Sequence, residues 1–381
     1  MAMSDDIAEV YLDYAAAAPP FPEAIAAQAH TAARWFANPS AAHALGRAAR
    51  AEFERLRTVF SRLCGFTDGR LVITSGATEA NNSIVHGVMS QSPSARVMVA
   101  ADVHASVWNA CRRYDGRVDV IPLDPDGRIR LAALSPGLKP ATRLVCCSHV
   151  SSETGAIQDV AAIASVCDRR GVLCHVDGVQ SLGHIPVDLS AIPCDFYVFA
   201  SHKFGGPRGC GGVFLRANGL TPLMDGGTQE WGLRPGTEDL PSLAGAVAAL
   251  QRSLALLPTE APRLRDLARL VLDNVRSSGV ACEINGEPDH GLPGLVSLTF
   301  PGVNGHALVT DLSLQGFAVA SGSACSADKP EPSRTILALG RAADAALGTI
   351  RISFGRLSRV EDANDVTVAL VTAVKRHTRG A

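Results

Sequence analysis

The ten cysteines of this 381-residue chain include no Cys-x-x-Cys pair, so the spacing used by zinc sites and iron–sulfur clusters is missing. Net charge is nearly missing too. Lys and Arg number 35 against 37 Asp and Glu, a balance of −2 that leaves no electrostatic footprint for nucleic acid or an anionic membrane. No apolar run is expected to reach membrane-spanning length, and the acidic opening from Met1 to Glu9 lacks the basic-then-apolar layout of a signal peptide. Repeats and low-complexity tracts are also lacking. These absences predict a cytoplasmic protein with reduced, mostly buried cysteines, no metal, no membrane and no direct nucleic-acid binding.

What is present is a buried core. Hydrophobic residues make up 47% and charged residues 19%, over a length that exceeds one ordinary core and predicts two domains. Helix and strand patterns alternate from about residue 40 to 215, which predicts an α/β domain with a largely parallel sheet. Ser40 is the expected cap of a helix ending at Gly65. Short Val-rich strands, apolar on both sides, are expected at Arg70–Thr74, Arg96–Ala100, Val118–Pro122, Arg143–Ser148, Val172–Val176, Phe196–Ala200 and Gly212–Arg216. A helix from Asp239 to Leu257 then meets Pro258-Thr259-Glu260-Ala261-Pro262, the expected linker. Beyond it, strands near Val296–Phe300, Phe317–Ala320 and Thr349–Phe354 with a final helix predict a smaller α+β unit.

Lys203 stands just past the apolar run Phe196 to Ala200, and Asp177 ends the run Val172 to Val176. A lysine at such a position is costly to desolvate unless chemistry uses its amine. An amine and a carboxylate at neighbouring strand ends are what a pyridoxal phosphate enzyme needs: one to hold the aldehyde as a Schiff base, the other to keep the pyridine nitrogen protonated. Strand alternation sends His175 and Asp177 to one face, where His-x-Asp as a metal pair lacks a third ligand at a recognisable spacing. Gln180 lies close enough to hydrogen-bond a ring substituent. Ser75-Gly76-Ala77-Thr78-Glu79 joins a strand to a helix; it reads as a phosphate cradle with the Thr78 hydroxyl, or as an ordinary capped helix. His104, after another strand, can cover a flat cofactor, shuttle protons or be structural. Gly205 to Gly212 lacks a Gly-Lys-Ser/Thr ending and reads as turns. Arg351 alternates with Ile350 and Ile352, so it either clamps a substrate carboxylate or faces solvent. Cys325, in Ser321-Gly322-Ser323-Ala324-Cys325-Ser326, is a candidate thiol nucleophile on a loop of small residues, against the general tendency of cysteines to be buried.

In joint order, these segments resemble the cysteine desulfurases of the class V aminotransferase group, in the branch with a long catalytic-cysteine loop. The resemblance covers nearly the whole chain. It runs through Val10 to Tyr14, Asn38-Pro39-Ser40, Thr74 to Glu79, His175 to Gln180, Ser201-His202-Lys203, Arg234-Pro235-Gly236-Thr237, Gly322 to Cys325, Glu331-Pro332-Ser333 and Ile350 to Ser353. It implies a fold-type I enzyme: a large cofactor domain at 15–257 with a mostly parallel seven-stranded sheet, and a small domain at 1–14 and 258–381 carrying the cysteine loop at about 321–333.

The resemblance also implies roles. Lys203 would be the Schiff-base lysine, Asp177 would bind the pyridine nitrogen, His104 would stack on the ring and Gln180 would meet the phenolic oxygen. Ala77 (through its backbone), Thr78 and His202 would hold the phosphate, with Thr237 supplied by the other subunit of a homodimer. Asn38 and Arg351 would hold the substrate carboxylate, and Cys325 would take sulfur from L-cysteine as a persulfide for an acceptor protein. Two positions depart from the pattern. Ser151-Ser152-Glu153 stands where Asn-Asn-Glu is usual, so Ser152 offers a short hydroxyl in place of an amide at cofactor and substrate. Ala200 lacks the hydroxyl that often binds the phosphate. Selenocysteine lyase, an aminotransferase and a weakly active scaffold docking a sulfur-transfer partner are the alternatives.

Overall fold

The computed structural model describes residues 9–322 and 331–379. The chain opens with β1 (Val10–Tyr11), α1 (Pro22–Arg34) and α2 (Ala44–Leu63). Pro22 sits in the first turn of α1, where a missing N–H leaves nothing unpaired. The cap of α2 is His43 rather than the expected Ser40: its Nδ1 accepts the Gly46 N–H at 3.1 Å. Strands and helices then alternate through β2 (Arg70–Thr74), α3 (Ala77–Met89), β3 (Arg96–Ala100), α4 (Ala105–Arg112), β4 (Val118–Ile121), α5 (Leu131–Gly137), β5 (Thr142–Ser148), α6 (Val160–Arg169), β6 (Leu173–Asp177), β7 (Phe196–Ala200) and β8 (Gly211–Leu215).

These seven strands form one sheet in the order β2-β8-β7-β6-β5-β3-β4. Only β8 is reversed within it, pairing antiparallel with β2 and β7, while the other neighbours pair in parallel. The carboxyl ends of β2, β3, β5, β6 and β7 therefore lie along one edge, where open α/β sheets bind ligands. Every residue of β7 and β8 is buried, as strands covered on both faces require.

The remainder runs through α7 (Leu240–Ser277), β9 (Glu283–Ile284), β10 (Leu295–Thr299), α8 (Gly305–Ser313), β11 (Phe317–Ala318), β12 (Ala320–Ser321), α9 (Arg334–Ala338), α10 (Ala343–Ala346), β13 (Thr349–Ser353) and α11 (Val360–Arg379). An antiparallel sheet of order β12-β13-β10-β9 supports it. The single strand expected at Phe317–Ala320 is split, since β11 pairs with β1 while β12 pairs with β13.

Two sequence expectations are corrected by α7. The segment Pro258 to Pro262 is no linker: α7 passes through both prolines as one 38-residue helix. Each proline lacks a backbone donor, but burial at both ends holds the helix in register. Leu243, Ala246 and Leu250 belong to the large core with Phe53, Phe60 and Phe199, and Val271, Leu272 and Val275 to a second core with Val296, Leu298 and Ile352. One window of α7 is also long and apolar enough to cross a membrane by length and composition; half of that window is buried inside the protein.

Candidate active site

Asp177 closes β6 with 6% of its surface exposed. Its Oδ2 accepts from Asn81 Nδ2 at 3.0 Å and its Oδ1 from the Val179 N–H at 3.1 Å. Asn81 lies on α3 and is fully buried. The same Nδ2 donates to Ser106 Oγ at 2.9 Å, and Asn81 Oδ1 accepts from His175 Nε2 at 3.0 Å. His175 and Asp177 thus share a face, as strand alternation predicts, and meet one amide. Because an amide oxygen can only accept, His175 carries its proton on Nε2. Burial pushes that imidazole down to about 4, so it is neutral near pH 7.

Lys203 sits in the turn that follows β7. Its Nζ donates to the Ala15 carbonyl at 2.6 Å, and Gln180 Nε2 donates to the same oxygen at 2.7 Å. His184 Nε2 donates to the Lys203 carbonyl at 2.9 Å, fixing the backbone from behind. His104 caps α4: its Nδ1 accepts the Ser106 N–H at 3.1 Å and lies 2.8 Å from Ser106 Oγ. Burial lowers its pKa, against the opposing charge of Asp177. Ser106 therefore bridges the His104 ring to the Asn81–Asp177 pair.

The turn between β2 and α3 builds another part of the site. Gly76 adopts φ 156°, a conformation suited to glycine. Gly211 must also be glycine, because a Cβ there would lie 2.6 Å from Gly76 Cα and 2.7 Å from the Phe199 carbonyl. This close approach of backbones holds the turn in which Gly76, Ala77 and Thr78 line the cavity. Glu79 reaches back to accept the Ser75 N–H at 2.8 Å.

Ala77, Thr78, Asp177, Gln180, His104, His202, Lys203, Ser152 and Ala200 all line one cavity of about 590 Å³. Arg208 and Gly209 line it too, although their segment reads as turns in the sequence. Burial, then the charges of Lys203 and Arg208, push the His202 imidazole down to about 4, which leaves it a neutral donor or acceptor.

An adjoining cavity of about 390 Å³ shares His104, Ser152 and Lys203 and is closed by Arg351. Arg351 is not solvent-facing: it is 4% exposed, with Nη2 2.7 Å from Asp13 Oδ1 and Nη1 donating to the Ser152 carbonyl at 2.8 Å. Its Nε is buried without a protein partner. Glu153 holds the stretch leading into α9, accepting from Ser333 Oγ and from Thr335 Oγ1 at 2.9 Å. Arg334 lies 4.0 Å over the Trp108 ring and donates to the Ala101 carbonyl at 2.8 Å.

Asn38 and Thr237 are exposed and line neither cavity. Their loops are neighbours, joined where Gln229 Nε2 donates to Ser40 Oγ at 3.4 Å. Cys325 lies outside the described residues. Of the nine cysteines described, eight are buried, and burial pushes the Cys194 and Cys210 thiols up to about 12, which keeps them protonated. No cluster of three or more His, Cys, Asp and Glu suited to a metal ion occurs among the described residues.

Sequence reasoning missed Asn81, Asp13 and Arg208. For Asn81 one signal was available: it falls one turn after Thr78 on the helix that the phosphate turn begins.

The donor set fits a planar phosphorylated pyridine. A carboxylate, an amine and a helix N-terminus with a hydroxyl line one cavity, and a Cβ at Gly76 would meet only open space. This fold and site define a fold-type I pyridoxal phosphate enzyme. The family profile described as Aminotransferase class-V matches residues 10–366. The cysteine desulfurase IscS of Enterobacter sp. (strain 638) is 34% identical over 373 residues, covering 95% of this chain and 91% of its own length. A solved NifS-like protein superposes with a TM-score of 0.88 at 26% identity, over 97% of this chain and 100% of its own. A structure of SspA in complex with cysteine superposes with a TM-score of 0.78 at 27% identity, over 90% and 98%. The chain belongs to the class-V aminotransferase family, among its cysteine desulfurases, and is a pyridoxal phosphate-dependent enzyme.

Proposed function

We propose that the chain desulfurates free L-cysteine, releasing L-alanine and leaving the sulfur as a persulfide on Cys325, with Lys203, Asp177 and His104 completing the catalytic set. Pyridoxal phosphate, when bound, supplies a sink for the electron pair left at the substrate Cα. Asp177, fixed by Asn81 and the Val179 N–H, holds a proton at the pyridine nitrogen. Ala77, Thr78 and His202 hold the phosphate, Gln180 the phenolic oxygen and the His104 ring one face. Arg208 supplies charge at the phosphate end, where Ala200 has no hydroxyl to offer. Arg351 binds the substrate carboxylate together with Asn38, and the unpartnered Nε of Arg351 fits that role. Ser152 lines both cavities, where it would meet cofactor and substrate. The Lys203 amine, which borders both cavities, would take the Cα proton. The thiolate of Cys325 then attacks the substrate sulfur: an S–S bond forms, the C–S bond breaks, and reprotonation gives alanine.

The observation that carries this reading is the convergence of Asp177, Lys203, His104 and Thr78, from four separate strand ends, on one cavity. The relative crystallised with cysteine and the desulfurases of similar sequence support the substrate. Product analysis tests it. Alanine with persulfide on Cys325 is expected; a keto acid would mean an aminotransferase, and activity confined to selenocysteine would mean a lyase for that substrate.

The same reading extends to a cytoplasmic homodimer of two-domain subunits that hands sulfur to an acceptor protein. The nine described cysteines are all free thiols, in keeping with a reducing compartment. Thr237 stands exposed on a loop adjoining that of Asn38, from which a second copy's cavity can receive it. The two cores met by α7 support a large domain at 15–257 and a small one at 1–14 and 258–381.

A further inference from the structure

The loop between β8 and α7 contains the two described non-glycine residues with positive φ, Glu230 (φ 48°, ψ 43°) and Trp231 (φ 57°, ψ 29°). Side chains there crowd the backbone, so such a pair persists only where the surroundings over-determine it. The surroundings do so. Glu230 is 4% exposed, and its Oε1 accepts from Arg57 Nη2 at 2.8 Å. Its Oε2 accepts from Arg57 Nη1 at 2.7 Å and from the Ile73 N–H at 3.0 Å. Arg57 is itself enclosed, its guanidinium 4.7 Å from the Phe53 ring and 4.6 Å from that of Trp231. Ile73 belongs to β2, just before the phosphate turn.

The loop has a second attachment. Arg234 Nε donates to Glu79 Oε1 at 3.0 Å, and the other oxygen of Glu79 accepts the Ser75 N–H at 2.8 Å. The loop is thus bolted to the strand, and then to the turn and helix, that shape this subunit's own phosphate cradle. Beyond the second bolt, Gly236 and Thr237 are exposed. A simple connection from β8 to α7 needs neither the left-handed pair nor the buried ion pair.

We propose that Glu230 and Arg234 are positioning residues for Thr237, setting the height and direction at which it leaves one subunit to meet the cofactor phosphate of the other. This rests on the reading that Thr237 serves a second copy. Because Glu79 links Arg234 to Ser75, one rigid unit shapes a subunit's own phosphate turn and aims its contribution to the neighbour.

The test is the rate at which purified holoenzyme loses its visible absorbance after dilution, for wild type, Thr237→Ala, Arg234→Gln and the double variant. Arg234 is partly exposed, so Arg234→Gln should fold; its thermal midpoint is measured alongside, and Arg234→Lys tests rescue. Thr237→Ala is expected to release the cofactor at least about tenfold faster, the scale of one hydrogen bond to a charged acceptor. Arg234→Gln should match much of that loss, Arg234→Lys should recover part of it, and the double variant should be no faster than Thr237→Ala. Multiplying effects in the double variant, or wild-type retention in Arg234→Gln, would overturn the positioning role while leaving Thr237 in place. Wild-type retention in Thr237→Ala would instead sink the cross-subunit reading, and this proposal with it.

Discussion

Asn81 donates a 3.0 Å hydrogen bond to Asp177 across 96 residues of sequence while its carbonyl end holds His175. A neutral amide therefore orients the carboxylate that is proposed to meet the pyridine nitrogen. Asn81→Ala should leave the Asp177 carboxylate and the His175 N–H short of a partner in a buried place. The expected destabilisation is about 1–3 kcal/mol, read from denaturant midpoints. A variant of unchanged stability that also kept full activity would show that Asn81 is idle.

Lys203→Ala should fold, because its side chain borders cavities rather than filling a core. It should fail to acquire the visible absorbance that wild type gains with pyridoxal phosphate. An unaltered spectrum would remove Lys203 as the attachment point.

Arg351→Lys keeps the charge but loses the planar fork that engages Asp13 and the Ser152 carbonyl together. The expected fall in kcat/KM for cysteine is on the order of a hundredfold, from about 2–3 kcal/mol of charge-assisted binding. Steady-state kinetics check it, and a loss confined to thermal stability would count against a substrate role.

Asp102 makes stability depend on pH. It is 2% exposed, with Oδ2 accepting from Gln158 at 3.2 Å and Oδ1 lacking a partner, and burial pushes its carboxyl up from 3.8 to about 7. Between those values the unfolded chain has released this proton while the folded chain retains it. This group's contribution is therefore fully present below pH ~3.8 and is lost as pH rises through about 7. His149 and His175, both pushed down to about 4, act in the opposite sense, losing stability as pH falls from 6.5 through 4. Asp102→Asn removes only the first slope. Its stability relative to wild type should climb from pH 4 to 7 and then level off, and denaturant midpoints across that range that stay parallel would refute the assignment.

The sequence carried the sheet well, because short apolar runs between turn residues have few other uses; β2, β3 and β7 fall where the pattern puts them. It also placed Asp177, Lys203 and His104 at strand ends, and the structure brings all three to one cavity. Asn81 was missed because its meaning lies in partners far along the chain, and its place one turn after Thr78 was the one local sign of it. Asp13 and Arg351 were hidden from each other for the same reason, 338 residues apart. Pro258 and Pro262 misled because local rules treat proline as a break, whereas α7 is held by packing at both ends.

That uninterrupted α7 has a mechanical consequence. A spar rooted in both hydrophobic cores resists bending where a slack tether would yield. A protease that seeks extended chain will find none at Pro258 to Pro262.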